Sequence, residues 1–346
     1  RARAAEFFCS SHRANPEELM EFGFQLGNQE PLRIRDLAQA ADDLGFDVVG
    51  FADHLIYEGP EHQLDPATLV HDAIGIAAMI ASATKRIRIG HFVLCNLFRH
   101  PALTAQALAT LDQISGGRMF AGLGTGWTET EFRMINMPFP AIGERLQMLD
   151  ESLQCIRALW TDDRATFQGK HYQLRDAVLW PKPVQKRPSV LLGGSGSGLL
   201  RIAAKYADYV NLIPPAGKAG KFSSENVRRM NDEAVQERIS FLRAETARVG
   251  CDPKAIKISN IVFICSLTDS DAAARQMYEA VAPMFNVSAD GLTGSPLALI
   301  GTPERCAAEL RRRAKDWGID QFVFSFQLGL DEKLMRRIRE EVIPGI

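Results

Sequence analysis

The chain has 346 residues, with Lys+Arg 40 against Asp+Glu 42, a formal net charge of -2, an apolar share of 46% and a charged share of 24%. These values place it among globular proteins and exclude a disordered chain, a collagen-like fibre and a small disulfide scaffold. The near-balanced charge supplies no basic field for a nucleic-acid backbone, and no local basic patch replaces it.

From the N-terminus, residues 1–19 carry arginine and serine but no apolar stretch suited to a secretory signal. They read as a leader or non-native extension ahead of a start at Met20, and residues 20–346 are expected to form one domain. Short β-rich runs alternating with helical patterns predict strands over residues 21–26, 47–51, 86–94, 119–122, 189–192, 209–213, 256–265 and 321–326. Ile34, Leu37, Ala41 and Leu44 fall on one helical face, as do Leu146, Leu149, Leu153 and Ile156. Pro101 and Pro303 suit first-turn positions and Thr302 suits the N-cap before Pro303. Gly45, Gly250 and Gly318 follow helical runs where a left-handed residue is favoured. Eight strand-then-helix units, the last helix at 331–342, predict an α/β fold, a (β/α)8 TIM barrel; a doubly wound parallel sheet is the competing arrangement.

Residues 126–140, 161–186, 216–226 and 286–300 exceed a plain barrel and are expected to build its mouth at the C-terminal face of the strands. The cysteines, Cys9, Cys95, Cys155, Cys251, Cys265 and Cys306, form no C-x-x-C pair and sit mostly in apolar runs, which reads as reduced core thiols in a cytoplasmic protein. The longest apolar helix candidate, residues 73–83, is short of the roughly 18 to 20 residues a membrane span needs.

Gly193, Gly194, Ser195, Gly196, Ser197 and Gly198 leave one predicted strand and enter a helix. Glycines let successive N–H groups converge on an anion, serine hydroxyls add donors, and the helix N-terminus adds partial positive charge, so a phosphate is the expected partner. The run is not a P-loop, because no Gly-Lys-Ser/Thr ends it, and Leu199 stands where a G-x-G-x-x-G fingerprint needs its third glycine. Gly122, Gly124, Thr125, Gly126 and Trp127 follow another strand; close backbone approach at a barrel rim and direct ligand contact are equal readings there. Asp53 and His54 directly follow the second strand, which in a barrel puts an imidazole at the catalytic face, where it donates, accepts or relays a proton near neutral pH. A loop histidine that satisfies backbone carbonyls is the even alternative. His91 with His71 or His100 could join this pair around a metal, but no H-x-H or H-E-x-x-H spacing exists and no metal is expected. No G-x-S-x-G elbow supplies a hydrolytic nucleophile.

These motifs, together with MEFGFQ, ADHL, RIRIGHFVLCNLFRHPALTAQALATLDQISGGRMFAGLGTGW, ERLQMLDESLQCIRALW, PKPVQ and LLGGSGSGLLRIAAKYADYV, resemble the bacterial luciferase-like superfamily of flavin monooxygenases and coenzyme F420-dependent oxidoreductases. The likeness runs from residue 20 to about residue 326 and is greatest toward the deazaflavin-type subgroup. The resemblance implies a barrel that binds coenzyme F420, or FMN as the alternative, at the C-terminal ends of its strands. It places the cofactor phosphate on Gly193, Gly194, Ser195, Gly196 and Ser197, with further cofactor contacts at Gly124 and Thr125. It also implies a non-prolyl cis peptide at Phe92-Val93 behind the ring, and Asp53 and His54 beside it, His54 being the catalytic proton donor or relay. Sugar-phosphate dehydrogenases of the superfamily carry a glutamate after G-x-G-T-G; Trp127 stands there instead, with Thr128 and Glu129 beside it. That activity is therefore not expected, and Trp127 either shapes an apolar substrate pocket or packs under the insertion.

The resemblance implies hydride transfer to or from a small organic substrate by a homodimer or higher homo-oligomer. Two other readings stand beside it: an FMN-dependent monooxygenase fed by a flavin reductase, and a non-catalytic flavin-binding barrel.

Overall fold

The structure is a computed structural model that describes residues 20–56, 68–213, 230–285, 287–325 and 330–346. The segment read as a leader, the insertion at 216–226, Asn286 and Phe326 lie outside the described residues. Strands β1 (Glu21–Leu26), β2 (Val48–Phe51), β3 (Arg88–His91), β4 (Leu94–Cys95) and β5 (Phe120–Gly124) come first. An antiparallel hairpin, β6 (Ala165–Gln168) and β7 (Gln173–Ala177), intervenes before β8 (Ser189–Gly193), β9 (Tyr209–Leu212), β10 (Lys257–Val262), β11 (Ile264–Leu267), β12 (Ala298–Gly301) and β13 (Gln321–Ser325).

One parallel sheet runs in the order β3-β2-β1-β13-β10-β9-β8-β5-β4. Its two ends are halves of the same predicted strand, 86–94, broken at Phe92-Val93: β3 pairs with β2 and β4 pairs with β5. A bridge from Ile89 to Met119 joins the ends, so the sheet closes as an eight-position barrel. Closure is tight there. A Cβ on Gly122 would overlap the His91 carbonyl oxygen, and one on Gly90 would overlap that of Phe120, so only glycine lets these backbones approach.

Two apolar shells hold the barrel. Inside it pack Val48, Phe92, Phe120, Leu191, Ile261 and Val323. Outside, the alternate strand residues meet the helices Pro31–Asp43, Ala73–Ala83, Pro101–Ser115, Ile142–Thr161, Ser197–Tyr206, Asp232–Arg248 and Pro303–Trp317. The stripes read from the sequence face inward: Ile34, Leu37, Ala41, Leu149, Leu153 and Ile156 are all buried. Each isoleucine or leucine among them contributes about 1.5–3 kcal/mol on burial. Pro101 and Pro303 open their helices, and Thr302 caps the latter by accepting from the Arg305 N–H at 3.4 Å. Gly45, Gly250 and Gly318 take the expected left-handed φ of 75°, 85° and 66°.

The floor of the barrel, at the N-terminal ends of the strands, is a charged layer. Glu21 accepts from Tyr209 Oη at 2.7 Å, Gln321 Nε2 at 2.7 Å, Lys257 Nζ at 3.1 Å and Arg88 Nη1 at 3.3 Å. Burial by itself would raise the Glu21 carboxyl, but these donors outweigh it and hold the group below its ordinary value.

Several boundaries differ from the sequence reading. The predicted strand 256–265 splits: β10 stays in the barrel, while β11 turns out to pair with β12 from the insertion at 286–300, over its own apolar cluster of Ala274, Tyr278, Leu292 and Ala298. A period-two pattern does not reveal where a strand changes partner. The segment 161–186 was expected at the mouth, yet it connects a helix C-terminus to the start of β8, on the opposite side of the barrel. Its hairpin leans on the helix Ile142–Thr161, where Glu151 accepts from the N–H groups of Lys170, His171 and Tyr172. The last helix is α-helical only over Glu332–Arg337 and continues as a π-turn at Ile338–Val342. No helix among the described residues is long and apolar enough to cross a membrane.

Candidate active site

At the C-terminal ends of the strands lies a cavity of ≈ 290 Å³, walled by residues from the ends of β1, β2, β4, β8, β9 and β13, and roofed by the insertions at 126–140 and 286–300. This is where a barrel assembles chemistry, because each strand delivers one or two side chains to a common rim. The Phe92-Val93 peptide, in the gap between β3 and β4, is cis, and both side chains form the cavity floor. Gln25 donates to the Phe92 carbonyl at 3.3 Å and ties this floor to β1.

His54 and Trp127 face the cavity together. Their rings stand edge to face, 5.6 Å apart at 78°. The imidazole Nδ1 sits 3.1 and 3.2 Å from the two carboxylate oxygens of Glu131, whose side chain is 3% exposed against 14% for His54. Glu131 arrives on the short helix Glu129–Met134 within the 126–140 insertion and also accepts from the Leu55 N–H at 2.6 Å. The sequence reading did not single out Glu131. No fixed spacing links it to His54, because the contact depends on how the insertion folds over the second strand.

Asp53 lines the cavity, but its carboxylate is committed. Both oxygens take the Arg99 guanidinium, at 2.6 and 3.1 Å, and one also accepts the Cys95 N–H at 2.9 Å. It therefore anchors the strand end behind the cavity wall. Burial pushes the Cys95 thiol up to about 12, so it is no thiolate nucleophile near neutral pH.

The two glycine runs separate. Gly126 and Trp127 of the first reach the cavity, whereas a Cβ on Gly124 would stand 2.6 Å from a Val93 methyl, which favours the close-approach reading at that position. Thr125 Oγ1 bonds the Gly126 carbonyl at 3.4 Å. In the second run Gly193 borders the cavity and the rest lead away from it into the helix Ser197–Tyr206. Ser195 is buried and its hydroxyl donates to the Ile213 carbonyl at 2.6 Å, while the Gly194 N–H goes to Asn211. Anion donors in this run therefore reduce to the backbone N–H groups at Ser195 and beyond, with the exposed Ser197. No side chain caps this helix, and a Cβ on Gly196 would meet open space.

The histidines weighed as metal ligands do not converge. His71 contacts the Gln29 carbonyl, His100 caps the helix Pro101–Ser115, and His91 is fully buried against the Ala73 carbonyl. Among the described residues no three of His, Cys, Asp and Glu could hold a metal. A smaller crevice of ≈ 70 Å³ lies between the helices Ile142–Thr161 and Ser197–Tyr206. Of the cations that line it, Lys205 and Arg187 pair with Asp150 at 3.0 Å and Asp208 at 2.7 Å, and neither His54 nor any residue of the run Gly193–Gly198 borders it.

A parallel barrel that carries a histidine–carboxylate pair at its mouth, beside an uncapped glycine-rich helix entry, has the layout of a barrel enzyme with an anion site at the C-terminal ends of its strands. The luciferase-like monooxygenase family model matches residues 7–321, and the chain belongs to that family. The match starts upstream of Met20, within the segment read as a leader. A similar curated protein is the F420-dependent glucose-6-phosphate dehydrogenase of Amycolatopsis mediterranei (strain U-32), 26% identical over 348 residues, 95% of this chain and 99% of that one. The FMNH(2)-dependent dimethylsulfone monooxygenase of Pseudomonas putida is 28% identical over 213 residues, 61% of this chain and 53% of that one. Among solved structures, an F420-dependent secondary alcohol dehydrogenase in complex with an F420-acetone adduct shares the fold, with a TM-score of 0.76 and 23% identity over 94% of this chain and 99% of that one.

Proposed function

We propose that this chain is a luciferase-like oxidoreductase that uses coenzyme F420 to move a hydride to or from a small organic substrate. The carrying observation is the convergence of His54, held by Glu131, with Trp127 and the Phe92-Val93 floor around one cavity that ends at Gly193, where the glycine run begins. Two buried polar atoms on the cavity wall, Gln25 Oε1 and Thr128 Oγ1, have no hydrogen-bond partner among the described residues. A polar heterocycle satisfies such groups, whose desolvation otherwise costs about 1–3 kcal/mol each. These residues fit a deazaflavin, and the full-length curated relative is an F420-dependent enzyme.

In this reading the backbone N–H groups at Ser195, Gly196 and Ser197, with the helix N-terminus behind them, hold the cofactor's anionic tail. Phe92, Val93 and Gly193 support its ring, and Asp53 secures the strand that carries the floor. When bound, the deazaflavin supplies a two-electron hydride donor or acceptor. His54 takes or returns the accompanying proton, and Trp127 shapes an apolar, water-poor side of the cavity with Ile213, Phe263 and Phe285. With Trp127 in the place of a glutamate, the substrate lies outside the sugar phosphates. The reading extends to a cytoplasmic homo-oligomer, in keeping with buried thiols at Cys95, Cys155, Cys265 and Cys306.

The test is titration of the purified protein with coenzyme F420 and with FMN, followed by cavity-side absorbance and fluorescence changes. Tighter binding of F420 is expected. Tighter binding of FMN selects the second reading, a monooxygenase supplied with reduced FMN by a reductase, which the Pseudomonas putida relative favours.

A further inference from the structure

We infer that Glu131 is a positioning residue that fixes the tautomer of His54, placing the imidazole proton on Nδ1 and leaving proton exchange with the substrate to Nε2. The inference rests on the reading of His54 given above and deepens it. Glu131 is 2% exposed and, among the described residues, its Oε1 accepts from the N–H groups of Leu55 at 2.6 Å and Ile56 at 3.3 Å, while His54 Nδ1 lies 3.1 and 3.2 Å from its two oxygens. An ionised carboxylate only accepts, so Nδ1 carries the hydrogen between them. The Trp127 ring, nearly perpendicular to the imidazole at 5.6 Å, holds its plane from a second side.

The consequence is directional. For an alcohol substrate, the C–H electron pair leaves with its hydrogen as hydride to the oxidised deazaflavin, while the O–H proton passes to His54 Nε2 and a C=O bond forms. The resulting imidazolium lies against the Glu131 carboxylate, which stabilises it. In the reverse direction the proton returns from Nε2 to the carbonyl oxygen as hydride arrives at carbon. A histidine with its proton on Nε2 could not accept the alcohol proton there.

Glu131→Gln tests this with nearly unchanged shape. Leu55 and Ile56 both need an acceptor at the Oε1 position, so the amide oxygen takes that place and its NH2 group turns to Nδ1. The NH2 group then stands 3.2 Å from Nδ1 in place of an acceptor, which favours an accepting Nδ1 and a His54 proton on Nε2. The expected result in 15N-histidine NMR, with the His54 signals assigned by their loss in His54→Ala, is an Nδ1–H pattern in the wild type that becomes an Nε2–H pattern in Glu131→Gln. Turnover with F420 should fall by roughly 100-fold without a change in cofactor affinity. In the His54→Ala background, Glu131→Gln should cause no further loss, because it acts only through the imidazole.

A wild-type spectrum with the proton on Nε2 overturns the inference without any variant. So does an equal loss from Glu131→Gln with and without His54, which marks a purely structural role. Full turnover in His54→Ala is a different failure: it removes His54 from the reaction and leaves the measured tautomer unaffected.

Discussion

The two ends of the barrel both bury ionisable groups, and they do opposite things with them. At the floor, Glu21 is saturated by Arg88, Lys257, Tyr209 and Gln321, on strands that meet in register, such as Glu21 beside Gln321 and Lys257 beside Tyr209. At the mouth, Glu131 holds one histidine nitrogen, and the wall keeps Gln25 Oε1 and Thr128 Oγ1 without a partner among the described residues. A buried polar cluster that satisfies itself stabilises the fold. One that leaves acceptors unmet at a cavity is arranged for something that is not part of the chain.

This contrast can be broken from either end. The largest expected effect is at the floor: Glu21→Gln leaves Arg88 and Lys257 facing a neutral amide and should destabilise the protein by about 1.5–3 kcal/mol in urea unfolding, the usual cost of losing charge-assisted hydrogen bonds in a half-buried layer. A loss below about 1 kcal/mol would mean that water already screens the layer. At the mouth, His54→Ala should lower kcat by roughly 100-fold or more while leaving the unfolding midpoint nearly unchanged. Unchanged turnover would remove the functional half of the contrast.

Gly196→Asp probes the anion end of the site. Its φ of -70° and the open space around it accept a side chain, unlike Gly194, whose φ of +141° and proximity to a Leu199 methyl at 3.2 Å would add strain. The added carboxylate should weaken F420 binding by about tenfold or more with little change in melting temperature, measured by titration. Equal affinity would place the tail elsewhere.

The smallest effect is a pH slope. Burial holds His91 down to about 4, so it is neutral in the fold but protonates in the unfolded chain near its ordinary 6.5. Between those values the unfolded state binds the extra proton. The contribution of this group is therefore complete above pH 6.5 and is lost as pH falls toward 4. His91→Gln should remove about one proton from the slope of stability against pH in that window. Glu21, also depressed, acts lower: its contribution is complete above about 4.5 and fades as pH falls through its folded value. A slope between pH 6.5 and 4 that persists in His91→Gln would show that other groups carry it.

Much of this molecule is legible in its sequence. The eight strand positions of the barrel, the capping at Thr302 and the left-handed Gly45, Gly250 and Gly318 follow from local chemistry, because period, N-cap and φ preference are properties of neighbouring residues. The rim position of His54 followed from strand order alone. Other features were not legible for a shared reason. The partner change between β10 and β11, the hairpin at 161–186 on the far side of the barrel, and the commitment of Asp53 to Arg99 depend on which distant segment arrives beside a residue. Ser195 illustrates the limit within a single motif: its place in an anion-binding run is local, but the Ile213 carbonyl that takes its hydroxyl comes from the next strand.

By itself, then, the order of residues determined the alternation of strands and helices and the rim position of His54, since hydrophobic period and turn chemistry act over a few residues. Only the tertiary structure decided that Glu131, on an insertion 77 positions away, meets His54, and that Asp53 serves the wall. Hydrogen bonds between remote side chains leave no spacing in the sequence, because the distance that matters to them is measured through space and not along the chain.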